Sequence, residues 1–65
     1  MQPHEERVVS EKTGLDMNLG RLNAFIDGPQ FGTVPDDERK RLIKQADIMR
    51  QYSEILGERI AAFGG

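Results

Sequence analysis

The sequence predicts an all-α fold, an antiparallel two-helix hairpin (about 3–27 and 35–63) that assembles into an oligomeric helical bundle. Three observations carry that reading. The first segment places apolar residues at alternating spacings of four and three, the second carries a broad apolar stripe at helical period, and a stretch rich in glycine and proline separates them. The 65 residues make a single domain, 1–65, too small to bury a large core without a staple or a partner.

The first segment runs from Pro3 to Asp27. Proline suits a first helical turn because the N–H it lacks would go unbonded there, and Glu5 and Glu6 put negative charge at the positive end of the helix dipole. Its seam is Val8, Leu15, Leu19, Leu22 and Ile26, with Lys12 filling the one gap and Val9 and Phe25 widening the stripe. Gly14 and Gly20 fall off the seam and cost about 1 kcal/mol each against alanine, so this helix needs packing to persist.

The run Asp27-Gly28-Pro29-Gln30-Phe31-Gly32-Thr33-Val34-Pro35 ends any helix and forms the hairpin tip, with Phe31 and Val34 placed to plug the core beneath it. Pro35 at a first helical position, followed by Asp36, Asp37 and Glu38, opens the second helix, and Gly64 and Gly65 close it after Ala62 or Phe63. Its stripe is Leu42, Ala46, Met49, Tyr52, Leu56, Ile60 and Phe63, with Ile48 and Ile55 in a second row. One neighbouring helix cannot cover so wide a face. Ile48, Met49, Ile55, Leu56 and Ile60 are therefore the expected oligomer interface of a dimer or larger assembly.

Composition excludes several classes. There is no cysteine and one histidine, His4, so neither a disulfide nor a structural zinc site is expected. Net charge is −2 with both signs interleaved, which disfavours DNA as a partner. No apolar run approaches the ~20 residues of a membrane span, and the N-terminus lacks a signal-peptide pattern, so a cytoplasmic protein without membrane contact is expected. A second histidine, a cysteine nucleophile and a glycine-rich phosphate loop are all missing, and Ser10 and Ser53 have no evident base. The expectation is a non-enzymatic binder with no cofactor and no metal.

Candidate ligand-binding residues follow from hairpin register. If residues whose numbers sum to about 62–64 face one another, Lys12 lies level with Tyr52, both on the seam. An ammonium there could hold a phosphate while the ring stacks on a base, and Arg7, Glu58 and Arg59 lie within about two turns. The simpler account has Lys12 snorkelling along the seam with its head in water and Tyr52 capping the core. Arg39, Lys40, Arg41, Lys44 and Arg50 make either a solvated, salt-bridged face or a modest anion or RNA patch.

The run Gln2-Pro3-His4-Glu5-Glu6-Arg7-Val8-Val9-Ser10-Glu11-Lys12, with Leu15-Asp16 and Leu22-Asn23-Ala24-Phe25-Ile26, resembles the first half of a family of short tailed-phage accessory proteins related to a reading frame of crAss-like phages. Arg41-Leu42, Gln45, Met49, Tyr52-Ser53 and Ile55-Leu56-Gly57-Glu58-Arg59-Ile60-Ala61-Ala62-Phe63 resemble its second half. The resemblance implies a counter-defence protein in the cytoplasm of an infected bacterial host. By analogy of size and architecture, it implies an oligomeric sponge for a cyclic-nucleotide-type immune signal, bound by Arg7, Lys12, Tyr52 and Arg59. The alternatives are a protein-directed inhibitor or adaptor that binds a host or phage protein, such as a host defence protein, and a Rop-like RNA-binding hairpin dimer.

Overall fold

The computed structural model describes residues 1–64, and within them the chain is two antiparallel helices with no strand. Helix α1 spans Pro3–Asp27 and α2 spans Asp36–Phe63, joined by a single 3₁₀ turn, Phe31–Thr33. The hairpin is a rod 46 Å long and 14 Å across. The expected closing role of Gly65 lies outside the described residues. Among those residues, no helix is long and apolar enough to cross a membrane.

The ends of α1 are set as the sequence suggests. Glu5 turns back so that its Oε1 accepts the Gln2 backbone N–H at 2.7 Å, which binds a donor the helix cannot use. At the other end the Gly28 N–H donates to the Phe25 carbonyl at 3.1 Å. Gly28 is extended, not left-handed, so its lack of a side chain answers a close approach: a Cβ there would stand 3.2 Å from the Ala24 carbonyl oxygen. Helix α2 begins one residue later than expected. Pro35 keeps an extended backbone as its N-cap, and its carbonyl accepts the Arg39 N–H at 2.9 Å.

Aromatic contacts close both ends of the rod. At the tip, Phe25 and Phe31 meet edge to face with centroids 6.1 Å apart, and Phe31 and Val34 are half-buried as plugs. At the open end His4 meets Phe63 in the same way at 6.5 Å.

Between the ends, the seam of α1 is the expected one, and Val8 is buried. The seam of α2 differs at one layer. Ser53 is buried and Leu56 is completely covered, whereas Tyr52, expected on the seam, stands in solvent. The inner row of α2 is therefore Leu42, Ala46, Met49, Ser53, Leu56, Ile60 and Phe63. The cause is steric and polar together. The Lys12 stem crosses this layer, its Cε 3.4 Å from where a Gly57 Cβ would stand, and its head needs a small hydrogen-bonding neighbour rather than a second large side chain. Leu56 is consequently packed inside the hairpin, out of reach of a second chain. Met49 and Ile60 lie half-covered in the same row, and only Ile48 and Ile55 of the expected interface residues face outward.

Candidate functional site

The seam carries one polar layer. Lys12 Nζ donates to Asp16 Oδ2 at 2.7 Å and to Ser53 Oγ at 3.0 Å, and Ser53 Oγ donates to Asp16 Oδ1. Every member has a partner, which removes the penalty of an orphaned polar group between two helices. Lys12, and after it Ser53, hold the Asp16 carboxyl below the usual carboxylate range. The expected pairing of Lys12 with Tyr52 is not formed: Lys12 is engaged by Asp16 and Ser53, and its head is only partly exposed.

These contacts also fix the two sides of the hairpin. Asp16 and Gly57, each one residue beyond a seam position on its helix, both meet Lys12 or its partner and so share one side. Helix handedness then places the residues one before each seam position on the other side, turned by about 100° from the seam. On α2 these are Ile48, Tyr52, Ile55 and Arg59, and on α1 they are Arg7, Glu11, Asn18, Arg21 and Phe25. Of the four candidate ligand residues, the structure thus brings Arg7, Tyr52 and Arg59 to one side and leaves Lys12 toward the opposite one.

The register of the observed contacts, with paired residue numbers summing to about 65–69, sets Arg7 level with Arg59 at the open end. Both are exposed and neither is in an ion pair among the described residues. Tyr52 lies about 10 Å along the helix from Arg59, at 1.5 Å per residue. It sits in an exposed apolar row with Ile48 and Ile55, which keep 55 % and 54 % of their surface in water. Sequence reasoning found Ile48 and Ile55 but assigned Tyr52 to the inner row; the outer spacing 48, 52, 55 was the signal available.

The basic face of α2 is largely self-neutralised. Arg39 pairs with Asp36, Arg41 with Glu38 at 2.8 Å, and Arg50 with both Asp47 at 2.7 Å and Glu54 at 2.6 Å. Arg50 in turn holds Asp47 below the usual carboxylate range. Of this face Lys40 and Lys44 alone are without a carboxylate partner among the described residues.

The fold and this arrangement define a small helical-hairpin module, with one side of the rod offering apolar, aromatic and cationic groups together. The chain belongs to the Sequestin family, whose family model matches residues 2–62, nearly the whole hairpin. The family name denotes sequestration, consistent with small accessory or anti-defence proteins that act by binding. No curated protein and no solved structure matches the chain.

Proposed function

We propose that this chain is a non-enzymatic counter-defence protein that acts as an oligomeric sponge, sequestering a cyclic-nucleotide-type immune signal at the junction between hairpins. The observation that carries the reading is the sharing of one side by Arg7, Arg59 and the exposed Tyr52 row. Two guanidinium groups without carboxylate partners suit phosphate, an aromatic ring suits a base, and the apolar row beside them suits a second hairpin. A phage protein acting in the cytoplasm of its bacterial host fits this role. Lys12, tied to Asp16 and Ser53, serves the fold in this reading and not the ligand.

A thermal-shift series with a panel of cyclic nucleotides tests it. At about 100 times its dissociation constant a ligand adds about 2.7 kcal/mol, which in a domain this small raises the melting temperature by roughly 10–20 °C. Tyr52→Ala and the Arg7→Ala, Arg59→Ala pair should each remove that shift. No shift with any cyclic nucleotide refutes the reading. The protein-directed alternative then stands, favoured by the hairpin tip, where Ile43, 52 % exposed, and Phe31 line a shallow depression of about 360 Å³ together with Asp36, Arg39 and Lys40.

A further inference from the structure

We propose that Glu11 and Gly14 make the candidate site selective for a ribonucleotide: the Glu11 carboxylate accepts a ribose hydroxyl, and the bare backbone at Gly14 leaves the slot in which the base lies on Tyr52. This rests on the ligand reading of the proposed function and deepens it by assigning the sugar.

The two rows on the Tyr52 side of the hairpin form a ladder. Arg7 with Arg59, Glu11 with Ile55, Gly14 with Tyr52 and Asn18 with Ile48 are rungs whose numbers sum to about 66, inside the register of the observed contacts. From the arginine rung to the Glu11 rung is about 6 Å along the rod, and from there to the Gly14 rung about 4.5 Å. Two cations, a carboxylate and an aromatic ring therefore follow one another on the scale of a nucleotide. Their order matches that of phosphate, sugar and base.

Glu11 is the one residue of this ladder that a phosphate would avoid. Neither row carries another carboxylate, and Glu11 is exposed with no ion pair in the chain among the described residues. An ionised carboxylate is an acceptor alone, so it repels a phosphate but takes the hydrogen of a hydroxyl. In the backbone of a nucleotide, the sugar is where such a hydroxyl is found. An acidic side chain on a ribose hydroxyl, a short way from the groups that hold phosphate, is also how dinucleotide sites read the sugar. A deoxyribose at the same rung would leave the carboxylate desolvated and unpaired.

Gly14 supplies the space. It lies inside α1, where glycine is disfavoured by about 1 kcal/mol against alanine, and a Cβ there would meet nothing within 4 Å. Packing within the chain thus gives no reason for a glycine. Gly57 is the contrasting case, since the Lys12 stem fills the room it leaves, with Cε 3.4 Å from the Cβ position. Across the rung from Gly14, Tyr52 is 43 % exposed, so the groove beside its ring stands open. A base lying flat on that ring reaches over the groove toward α1, and a side chain at Gly14 would occupy the same volume.

A cycle of residue against hydroxyl tests the assignment, read by isothermal titration with helicity followed by circular dichroism. The probes are cyclic AMP, cyclic GMP, cyclic di-AMP and cyclic di-GMP, each as the ribonucleotide and as its 2′-deoxy form. For a probe that binds, the 2′-deoxy form should bind about tenfold more weakly. Glu11→Gln, on an exposed residue, should keep the fold, weaken the ribonucleotide about tenfold and leave the 2′-deoxy form unchanged, because the contact is already absent there. Gly14→Ala should weaken both forms alike while the helix becomes firmer. If Glu11→Gln tightens both forms, Glu11 only screens Arg7, and the sugar assignment is overturned. Binding indifferent to Glu11→Gln and to the 2′-hydroxyl also overturns it, and unchanged binding by Gly14→Ala overturns the slot, with the ligand reading intact in each case. No binding of any ribonucleotide probe overturns the ligand reading and this inference together.

Discussion

The two rows of α2 differ in what covers them. The inner row, from Leu42 through Ser53 and Leu56 to Phe63, has α1 against it and contains Leu56, the one completely covered side chain among the described residues. The outer row, Ile48, Tyr52 and Ile55, has the same spacing and comparable hydrophobicity but stands in water. A heptad therefore says that a helix expects a neighbour, and says nothing about whether that neighbour belongs to the same chain. In a hairpin the inner row gives the fold and the outer row remains available for binding.

The sharpest way to break this comparison is to truncate adjacent residues on the two rows. Leu56→Ala removes a wholly buried side chain and should cost about 2–5 kcal/mol, enough to unfold so small a domain. Ile55→Ala, its chain neighbour, should leave hairpin stability at high dilution within about 0.5 kcal/mol while weakening self-association. Chemical denaturation at two protein concentrations separates the effects. Equal losses at both positions and both concentrations would mean that the rows are not distinct.

The polar layer of the inner row offers a smaller effect. Gly57 leaves room for the Lys12 stem, and a valine there would drive its branched methyls into that stem. Gly57→Val should cost about 1–3 kcal/mol by forcing Lys12 away from Ser53, measurable as a lower urea midpoint. A valine variant as stable as the parent would show that Lys12 can leave the seam freely, which contradicts its role there.

Most of the architecture was legible before any coordinates. The bounds of α1 follow from Pro3 and from Gly28-Pro29, and its seam follows from five apolar residues that allow one phase. The inner row of α2 was harder because Tyr52 and Ser53 both fit a seam between Met49 and Leu56, one by spacings of three then four, the other by four then three. Hydrophobicity favours the tyrosine. The structure selects the serine, since Lys12 and Asp16 on the facing helix need a small hydroxyl between them. A polar residue on one seam was thus a clue to a polar residue on the other, which periodicity alone does not weigh. The side shared by Arg7, Tyr52 and Arg59 became visible only with that phase fixed.

Acid titration compares a carboxylate bonded across the hairpin with one bonded along α2 alone. Asp16 and Asp47 both have pKa values depressed by folding, Asp16 chiefly by Lys12 and Asp47 chiefly by Arg50. Depressed carboxylates contribute stability that is fully present above the ordinary carboxylate pKa, near pH 4, and is lost as pH falls through the folded value. Asp16 is bonded across the two helices through Ser53, whereas Asp47 is bonded within α2 alone. Asp16→Asn should therefore flatten the acid limb of a stability-against-pH curve more than Asp47→Asn. The reverse order would place the pH-sensitive contact outside the seam.

The smallest effect sharpens the comparison where it is least obvious, on α1. Gly14 and Gly20 are both inside a helix, and a Cβ at either would meet nothing within 4 Å in the single chain. On propensity alone each change to alanine should add up to about 1 kcal/mol. Their sides differ, however. Gly20 follows the seam residue Leu19 and lies on the side of Asp16, away from the exposed Tyr52 row. Gly14 precedes Leu15 and lies on the side of Arg7 and Tyr52, where the proposed function places the junction between hairpins. Gly20→Ala should then raise the melting temperature by roughly 4–8 °C whatever the protein concentration. Gly14→Ala should give that gain only at high dilution, and less of it as hairpins associate, because an added methyl stands in the junction between them. If the two variants stabilise equally at every concentration, the Gly14 side of α1 carries no second hairpin.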